Sequence, residues 1–350
     1  MQTRQLAELL RRDGFSVELV PVNRPYRPRW VARVPVVRAF FRLLPYLAAL
    51  WGAAGRNDLL HLMANSGWSW HLFATPAILV ARIRRLPIVI NYRGGSAPEF
   101  LARQGRWVLP FLRRANVLAV PSGFLAEVFQ PYGLNATIVP NIVDLQRFLG
   151  AADARADSGR PLHVVVTRNL EPIYDIATAL RAFALIRQSR PDARMRVAGS
   201  GPERDRLMEE ARKLGVDEAV EFTGRLDADA MARLYRTADI MLNPSLVDNT
   251  PNSILEAWAS GVAVVSTRVG GVPHLVAEGR DAILVPAGDP GAMADAVIGL
   301  VNDPERLRLL REEGERSARR FAWDQVKPIW LRVYRDAAGS SASNARGRTV

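Results

Sequence analysis

Short apolar runs that alternate with helical stretches, in two successive series, constrain the fold of this chain more than any other feature. The first series is 59–64, Ile88–Tyr92, Val117–Val120 and 138–140, with helical stretches at 71–84 and 123–132. The second is His163–Val166, 195–198, 220–222, Ile240–Asn243, 263–266 and 282–285, with helices at 175–187, 203–214 and 229–237. Strand-length runs separated by helices give a parallel sheet covered on both faces. Two such series predict an α/β chain of two Rossmann-like domains with parallel sheets facing across a cleft. With 350 residues, 49% of them hydrophobic, the chain is long enough for two cores. The first domain is expected over 1–145, a linker over 146–160 (containing AADARADSGR), and the second domain over 161–320. The last residues, 338–350, have the composition of a disordered tail.

The start of the chain departs from this scheme. Helix 2–13 carries Leu6, Leu9 and Leu10 on one face, Gly14 ends it, and 15–22 alternates like a strand. A doubly wound domain opens with a strand and a glycine-rich turn before its first helix. That first strand is expected to be missing, supplied otherwise or lost to a truncated or misassigned start.

Charge is unevenly spread. Residues 1–150 hold 19 of the 47 Lys and Arg but 7 of the 35 Asp and Glu, which accounts for the whole net charge of +12. A basic first half points to an anionic partner, such as a membrane surface or a lipid phosphate. Nucleic acid is the weakest of these readings, because no recognised binding module is present. Around Trp30–Trp51 the arginines Arg33, Arg38 and Arg42 interrupt an aromatic, apolar stretch, which reads either as a segment lying on a membrane or as a surface helix. No run reaches the ~18–20 apolar residues of a spanning helix. No signal peptide is visible, so the expected location is cytoplasmic, peripheral on the inner face of the cytoplasmic membrane. With no cysteine and four histidines in no ligand spacing, thiol chemistry, disulfides and a metal site are not expected.

The chemistry concentrates in 243–276, NPSLVDNTPNSILEAWASGVAVVSTRVGGVPHLV. Asp248 and Glu256 bracket Asn249, Thr250, Pro251, Asn252 and Ser253. Thr250 is a good N-cap and Pro251 suits the first helical position. The N–H groups of Asn252 and Ser253 then remain free for an anion. Carboxylates at a helix start are commonly caps; the phosphate-ready turn between these two favours a site.

These motifs resemble retaining glycosyltransferases of family 4, which have the GT-B fold. The family's loop, PSLxEGxPNxxLEAxAxG followed by PVVxTxxGGxPE, is matched by PSLVDNTPNSILEAWASG and AVVSTRVGGVPHLV. GSGPERDRL, FTGRLDADAMARLY and GRDAILVPAGDP also match. FAWDQVKPIWLRVY resembles the closing helix, placed at 321–337, that returns to the first domain. IVINYRGG, VPSGFL and IVPNIVDLQRF match more loosely. The resemblance implies transfer of a sugar from a UDP- or GDP-linked donor, without metal or other cofactor. The acceptor implied is a polysaccharide, a lipid-linked or another cell-surface glycan.

By this resemblance Glu256 holds the ribose hydroxyls and Asp248, one methylene shorter than the family's glutamate, faces the donor sugar. Residues Asn249 to Asn252 offer N–H groups to the diphosphate or sugar, and Arg168 contacts the donor phosphates. Gly199 and Gly201 let the backbone approach the nucleotide, with Arg225 and Leu226 near the base. On the acceptor side stand Arg93, Gly94 and Gly95, with His61 and Asn65 beside them. His61 reads first as a satisfied histidine near a strand end and otherwise as lining the acceptor cleft, and Trp68 and Trp70 read first as packing under a loop and otherwise as sugar-stacking rings. The chain departs from the family at Ile173 and Tyr174, where a lysine and a glycine are expected, and at Arg93, where histidine is common. Two alternatives follow: a catalytically silent GT-B subunit acting in binding or assembly, and a nucleotide-sugar epimerase.

Overall fold

The computed structural model describes residues 2–22, 35–149 and 160–346, with side chains from 43 in the helix Pro35–Ala54 and to 339 in the last helix. The chain divides into two compact α/β units, Met1–Pro140 with Lys327–Val350, and Asn141–Val326.

The first unit is built on strands β1 (Leu60–Ala64), β2 (Ile88–Tyr92), β3 (Val117–Val120) and β4 (Ala136–Ile138), all parallel and in that order. Every residue of β2 is buried, as its unbroken IVINY composition requires of an inner strand covered on both faces. Helices Thr75–Ile83, Ala97–Leu112 and Gly123–Phe129 cover the sheet, and Pro35–Ala54 adds Tyr46, Leu50 and Ala54 to the same core. The segment 15–22, expected as a strand, pairs with no strand among the described residues. Its alternation instead lays Val20 and Val22 on the core while Phe15 and Leu19 stay exposed. The basic stretch 23–34 lies outside the described residues.

The second unit carries β5 (His163–Val166), β6 (Arg194–Ala198), β7 (Val220–Gly224), β8 (Ile240–Asn243), β9 (Ala263–Thr267) and β10 (Ile283–Val285). They form one parallel sheet in the order β10-β9-β8-β5-β6-β7. One face packs on helices Ile176–Ser189 and Pro290–Asn302 through Phe183, Ile186 and Val297, and the other on Ala228–Thr237 and Asn252–Ala259 through Tyr235 and Trp258. The chain runs outward from β5 to β7, then returns to the other side of β5 at β8. This reversal opens a crevice at the carboxyl ends of β5 and β8, where ligands bind in open α/β sheets.

Two boundaries differ from those expected. The chain leaves the first unit at Pro140, not at 145, and part of the expected linker is structured: Leu145–Phe148 is a helical turn. Val143 and Phe148 are buried in the second unit's core, and the Val143 N–H donates to the Phe321 carbonyl at 2.9 Å, which draws this segment into that unit. Residues 150–159 lie outside the described residues. The closing helix runs Trp323–Arg346, beyond the expected end at 337 and through most of the segment expected as disordered tail. Once a helix is nucleated each added residue gains one hydrogen bond, and alanines at 337, 338, 342 and 345 favour continuation.

Candidate active site

Loops at the carboxyl ends of β5 and β8 meet across the crevice. Arg168, two residues beyond β5, donates from Nη2 to Asp248 Oδ2 at 2.6 Å, and the two side chains are only 11% and 9% exposed. Asp248 is held further by Ser245 Oγ at 3.1 Å and by the Asn249 N–H at 3.0 Å. The Arg168 guanidinium lies 4.1 Å over the Tyr174 ring, and its Nη1 reaches Ser253 Oγ at 3.5 Å. A second link, from the Leu246 N–H to the Ile173 carbonyl at 2.8 Å, joins the same two loops.

The helix Asn252–Ala259 starts at this ion pair. Pro251 is its N-cap residue, with ψ of 117°, one position later than expected, so Thr250 does not cap the helix. A proline with extended ψ closes no helical turn, and Thr250 Oγ1 is left out of solvent without a hydrogen-bond partner among the described residues. The N–H groups of Asn252 and Ser253 likewise have no acceptor there. Arg168 Nε, also buried, is a fourth donor without a partner. Buried polar groups are nearly always paired, so this cluster of unfilled donors calls for a ligand. Asn141 fixes the turn from below, donating to the Thr250 carbonyl at 3.0 Å and to Asn252 Oδ1 at 2.7 Å. The helix ends at Gly261, whose φ of +64° closes a C-terminal turn in which the Val262 N–H donates to the Ala257 carbonyl at 2.9 Å. Trp258, fully buried and bonded to the Asp281 carbonyl at 2.7 Å, anchors it.

Glu256 stands one turn into this helix, half-buried, with no hydrogen bond to its carboxylate among the described residues. Burial pushes its pKa up to about 7, against the opposing charge of Arg168. Tyr235, whose hydroxyl bridges Thr167 Oγ1 at 2.6 Å and the Ser253 carbonyl at 3.1 Å, is raised well above the usual phenol range by burial, with the Glu256 charge adding to it.

The glycines also meet a packing demand. A Cβ on Gly199 would stand 2.0 Å from the Arg168 carbonyl oxygen, and one on Gly201 would stand 2.1 Å from that of Leu170. They let the β6 loop seat against the backbone that carries Arg168. Gly270 and Gly271 do the same for Asp248 and Asn249, at 2.0 and 2.3 Å. Gly201→Ala is therefore expected to lower stability by about 1–3 kcal/mol, the usual cost of overpacking, and to weaken ligand binding through Arg168; thermal denaturation checks the first effect. Beyond β7, exposed Arg225 and half-buried Leu226 follow Gly224, whose carbonyl accepts the Gly199 N–H at 2.9 Å.

In the first unit, Arg93, Gly94 and Gly95 follow β2, and Asn65 follows β1, exposed. The Arg93 N–H donates to the Ala64 carbonyl at 2.9 Å, and burial draws its guanidinium down to about 10. A Cβ on Gly94 would meet Ser66 Oγ at 2.4 Å, so this glycine serves loop packing. His61 takes the structural role: Nδ1 pairs with Tyr334 Oη at 2.9 Å, Nε2 with Asn91 Nδ2 at 3.2 Å, and its ring packs on Trp330. Burial, then the Arg93 charge, holds its pKa down at about 3, so it is neutral near pH 7. Trp70 is fully buried and Trp68 exposed.

Asn141, Ser245 and Tyr235 were not singled out from sequence. Asn141 directly follows Pro140, two residues beyond β4, which is the one local signal for it; Ser245 and Tyr235 carry none. Among the described residues no group of three or more His, Cys, Asp or Glu is placed to hold a metal ion.

Two family models match the chain: Glycosyltransferase Family 4 over residues 1–147 and Glycosyl transferases group 1 over 161–303. The D-inositol 3-phosphate glycosyltransferase of Segniliparus rotundus is 30% identical over 306 residues, 83% of this chain and 68% of that protein. Its namesake in Corynebacterium urealyticum is 31% identical over 224 residues, 60% of this chain, and the match spans only 53%, about half, of that relative's length. Among solved structures, Anabaena HepE in complex with UDP-glucose superposes with a TM-score of 0.73 at 19% identity, covering 93% of this chain and 88% of that one.

Proposed function

Because this chain belongs to glycosyltransferase family 4 and has the GT-B fold, we propose that it transfers a sugar from a nucleoside diphosphate donor, UDP- or GDP-linked, with retention and without a metal. The acceptor in this reading is a polysaccharide, a lipid-linked or another cell-surface glycan, met at the inner face of the cytoplasmic membrane. The observation that carries the donor half is the cluster of unfilled donors at the start of Asn252–Ala259, beside the Arg168–Asp248 pair. A leaving diphosphate gathers negative charge, and a helix N-terminus with an arginine is suited to stabilise it.

In this reading the steps are as follows. Arg168 exchanges part of its contact with Asp248 for a phosphate oxygen, with Tyr174 beneath the guanidinium throughout. Asp248, still held by Ser245 and Asn249, accepts from sugar hydroxyls. Glu256 accepts from the ribose. The acceptor hydroxyl attacks the anomeric carbon on the face from which the diphosphate departs, through an oxocarbenium-like state, and its proton passes to the leaving phosphate oxygen. The carboxylates orient the donor and form no covalent sugar intermediate. Support for an anionic or membrane-borne acceptor is the net charge of the first 150 residues. The relatives named for inositol 3-phosphate also act on an anion.

Binding is the direct test. UDP or GDP at a hundred times its Kd adds about 2.7 kcal/mol of stability, read as a raised Tm, and Glu256→Ala should remove most of it. If no nucleoside diphosphate shifts the Tm, the donor reading fails and the silent-subunit alternative stands. The departure at Ile173 and Tyr174 favours that alternative, since Arg168 has no lysine beside it.

A further inference from the structure

The first unit carries an exposed apolar face that the sugar-transfer reading does not use. On the helix Pro35–Ala54, Leu44, Ala48 and Trp51 form one exposed stripe, opposite the buried Tyr46, Leu50 and Ala54. Helix Thr75–Ile83 packs alongside and exposes Leu79 and Ile83, and Arg84 joins the two stripes, its guanidinium 4.0 Å over the Trp51 ring. Leu44 and Ile83 are 64% and 66% exposed, Trp51 43%. Large apolar side chains grouped in this way mark an interaction surface.

The rim of the face is cationic. Arg82, Arg84 and Arg85 end the second helix, and none is ion-paired among the described residues. Between Leu44 and Ile90 the chain has a single carboxylate, Asp58. Arg85 also occupies a position that favours glycine: φ is +55°, and the Leu86 N–H donates to the Ala81 carbonyl at 2.8 Å, the geometry of a glycine-terminated helix. An arginine there is strained, and strain of this kind is kept where the side chain has a task.

We propose that this face rests on an anionic phospholipid surface, with Leu44, Trp51, Leu79 and Ile83 entering the interface and Arg82, Arg84 and Arg85 against the phosphates. Apolar side chains beside arginines match the headgroup boundary, where Trp and Arg are favoured. The chain enters the helix from NRPYRPRWVARV, which adds four arginines and no carboxylate. An isologous dimer through this face would bring two uncompensated arginine clusters into one contact. The inference deepens the membrane-side part of the proposed function and does not depend on catalysis.

The test is co-sedimentation of the full chain with phosphatidylcholine vesicles, with and without phosphatidylglycerol. Binding is expected only to the anionic vesicles and should weaken with salt. Arg85→Gly should raise the Tm while weakening partition about fivefold, the share of one cation at a charged surface. Trp51→Ser combined with Ile83→Ser should abolish binding yet keep the nucleotide-induced Tm shift. Absence of binding to anionic vesicles, or binding unchanged in these variants, overturns the proposal. So does a dimer in solution that the double variant dissociates, which would make a second copy the occupant. Vesicle binding lost in the double variant but without any nucleotide shift supports this surface and removes only the donor reading.

Discussion

Replacing Arg168 by alanine is expected to lower sugar transfer by roughly 10²–10³-fold, the usual effect of deleting one donor aimed at developing charge. In many proteins a neighbouring cation would soften the loss. Here the position five residues on is Ile173, and the next holds Tyr174, whose ring lies under the guanidinium. The same substitution should also cost stability. Removing one partner of a buried ion pair typically costs ~3–5 kcal/mol. The lower end applies, because Asp248 keeps Ser245 Oγ and the Asn249 N–H. Arg168→Lys should not rescue the rate, since an ammonium supplies neither the planar fork nor the stacking surface. Adding Asp248→Asn to Arg168→Ala should restore much of the stability and none of the rate. Urea unfolding and initial-rate kinetics on the four proteins decide this. A double variant as unstable as the single one would show that the pair is not what holds the two loops.

Much of the fold was legible because its signals are local. Ile88–Tyr92, Val117–Val120, His163–Val166 and Ile240–Asn243 appear with the bounds read from their apolar runs, since inner parallel strands must be apolar on both faces. The misreadings share a cause, which is that packing with distant residues settled them. Residues 15–22 alternate as a strand should, but among the described residues no ladder partner reaches them. Residues 141–145 read as the end of the first domain and 146–148 as the start of the linker, yet Phe321 and Thr250, far along the chain, bind this segment to the second unit. His61 is not among them: its first reading, a satisfied histidine, holds, with Tyr334 and Asn91 as its partners.

The candidate site was legible in its residue types and less so in its connections. Asp248, Glu256, Arg168 and the helix start between the carboxylates do gather at one crevice. Spacing alone does not say that Arg168 rests on Asp248 in the free protein, because that contact spans the turn of sheet order between β5 and β8. Nor does it say that Gly199, Gly201, Gly270 and Gly271 press loop on loop, a constraint visible only when the opposing carbonyls are in place. Tyr174 was visible as a departure from a motif. Its ring, at the position where a glycine is expected, lies under the Arg168 guanidinium, next to Ile173 at the position where a second cation is expected.

Glu256 should make both stability and nucleotide binding depend on pH, in opposite senses. Its pKa rises from 4.5 to about 7 on folding, chiefly through burial. Between those values the folded chain retains a proton that the unfolded chain has released. Stability therefore falls as pH rises through this window, by about 3 kcal/mol in full. Glu256→Gln, which keeps the shape and stays neutral, should be more stable than the natural protein at pH 8 and about equal to it at pH 4. Binding runs the other way. Ribose hydroxyls donate to the carboxylate and favour its charged form, so nucleotide binding expels the proton and tightens as pH approaches 7. Titration calorimetry of UDP or GDP at pH 6, in two buffers of different ionisation enthalpy, should report close to one proton released per nucleotide, and none in Glu256→Gln. Tight binding with no proton released would mean that Glu256 does not meet the ribose. The phosphate contacts of Arg168 and the helix start would then carry the donor alone, and selectivity for ribose would have to come from elsewhere in the second unit.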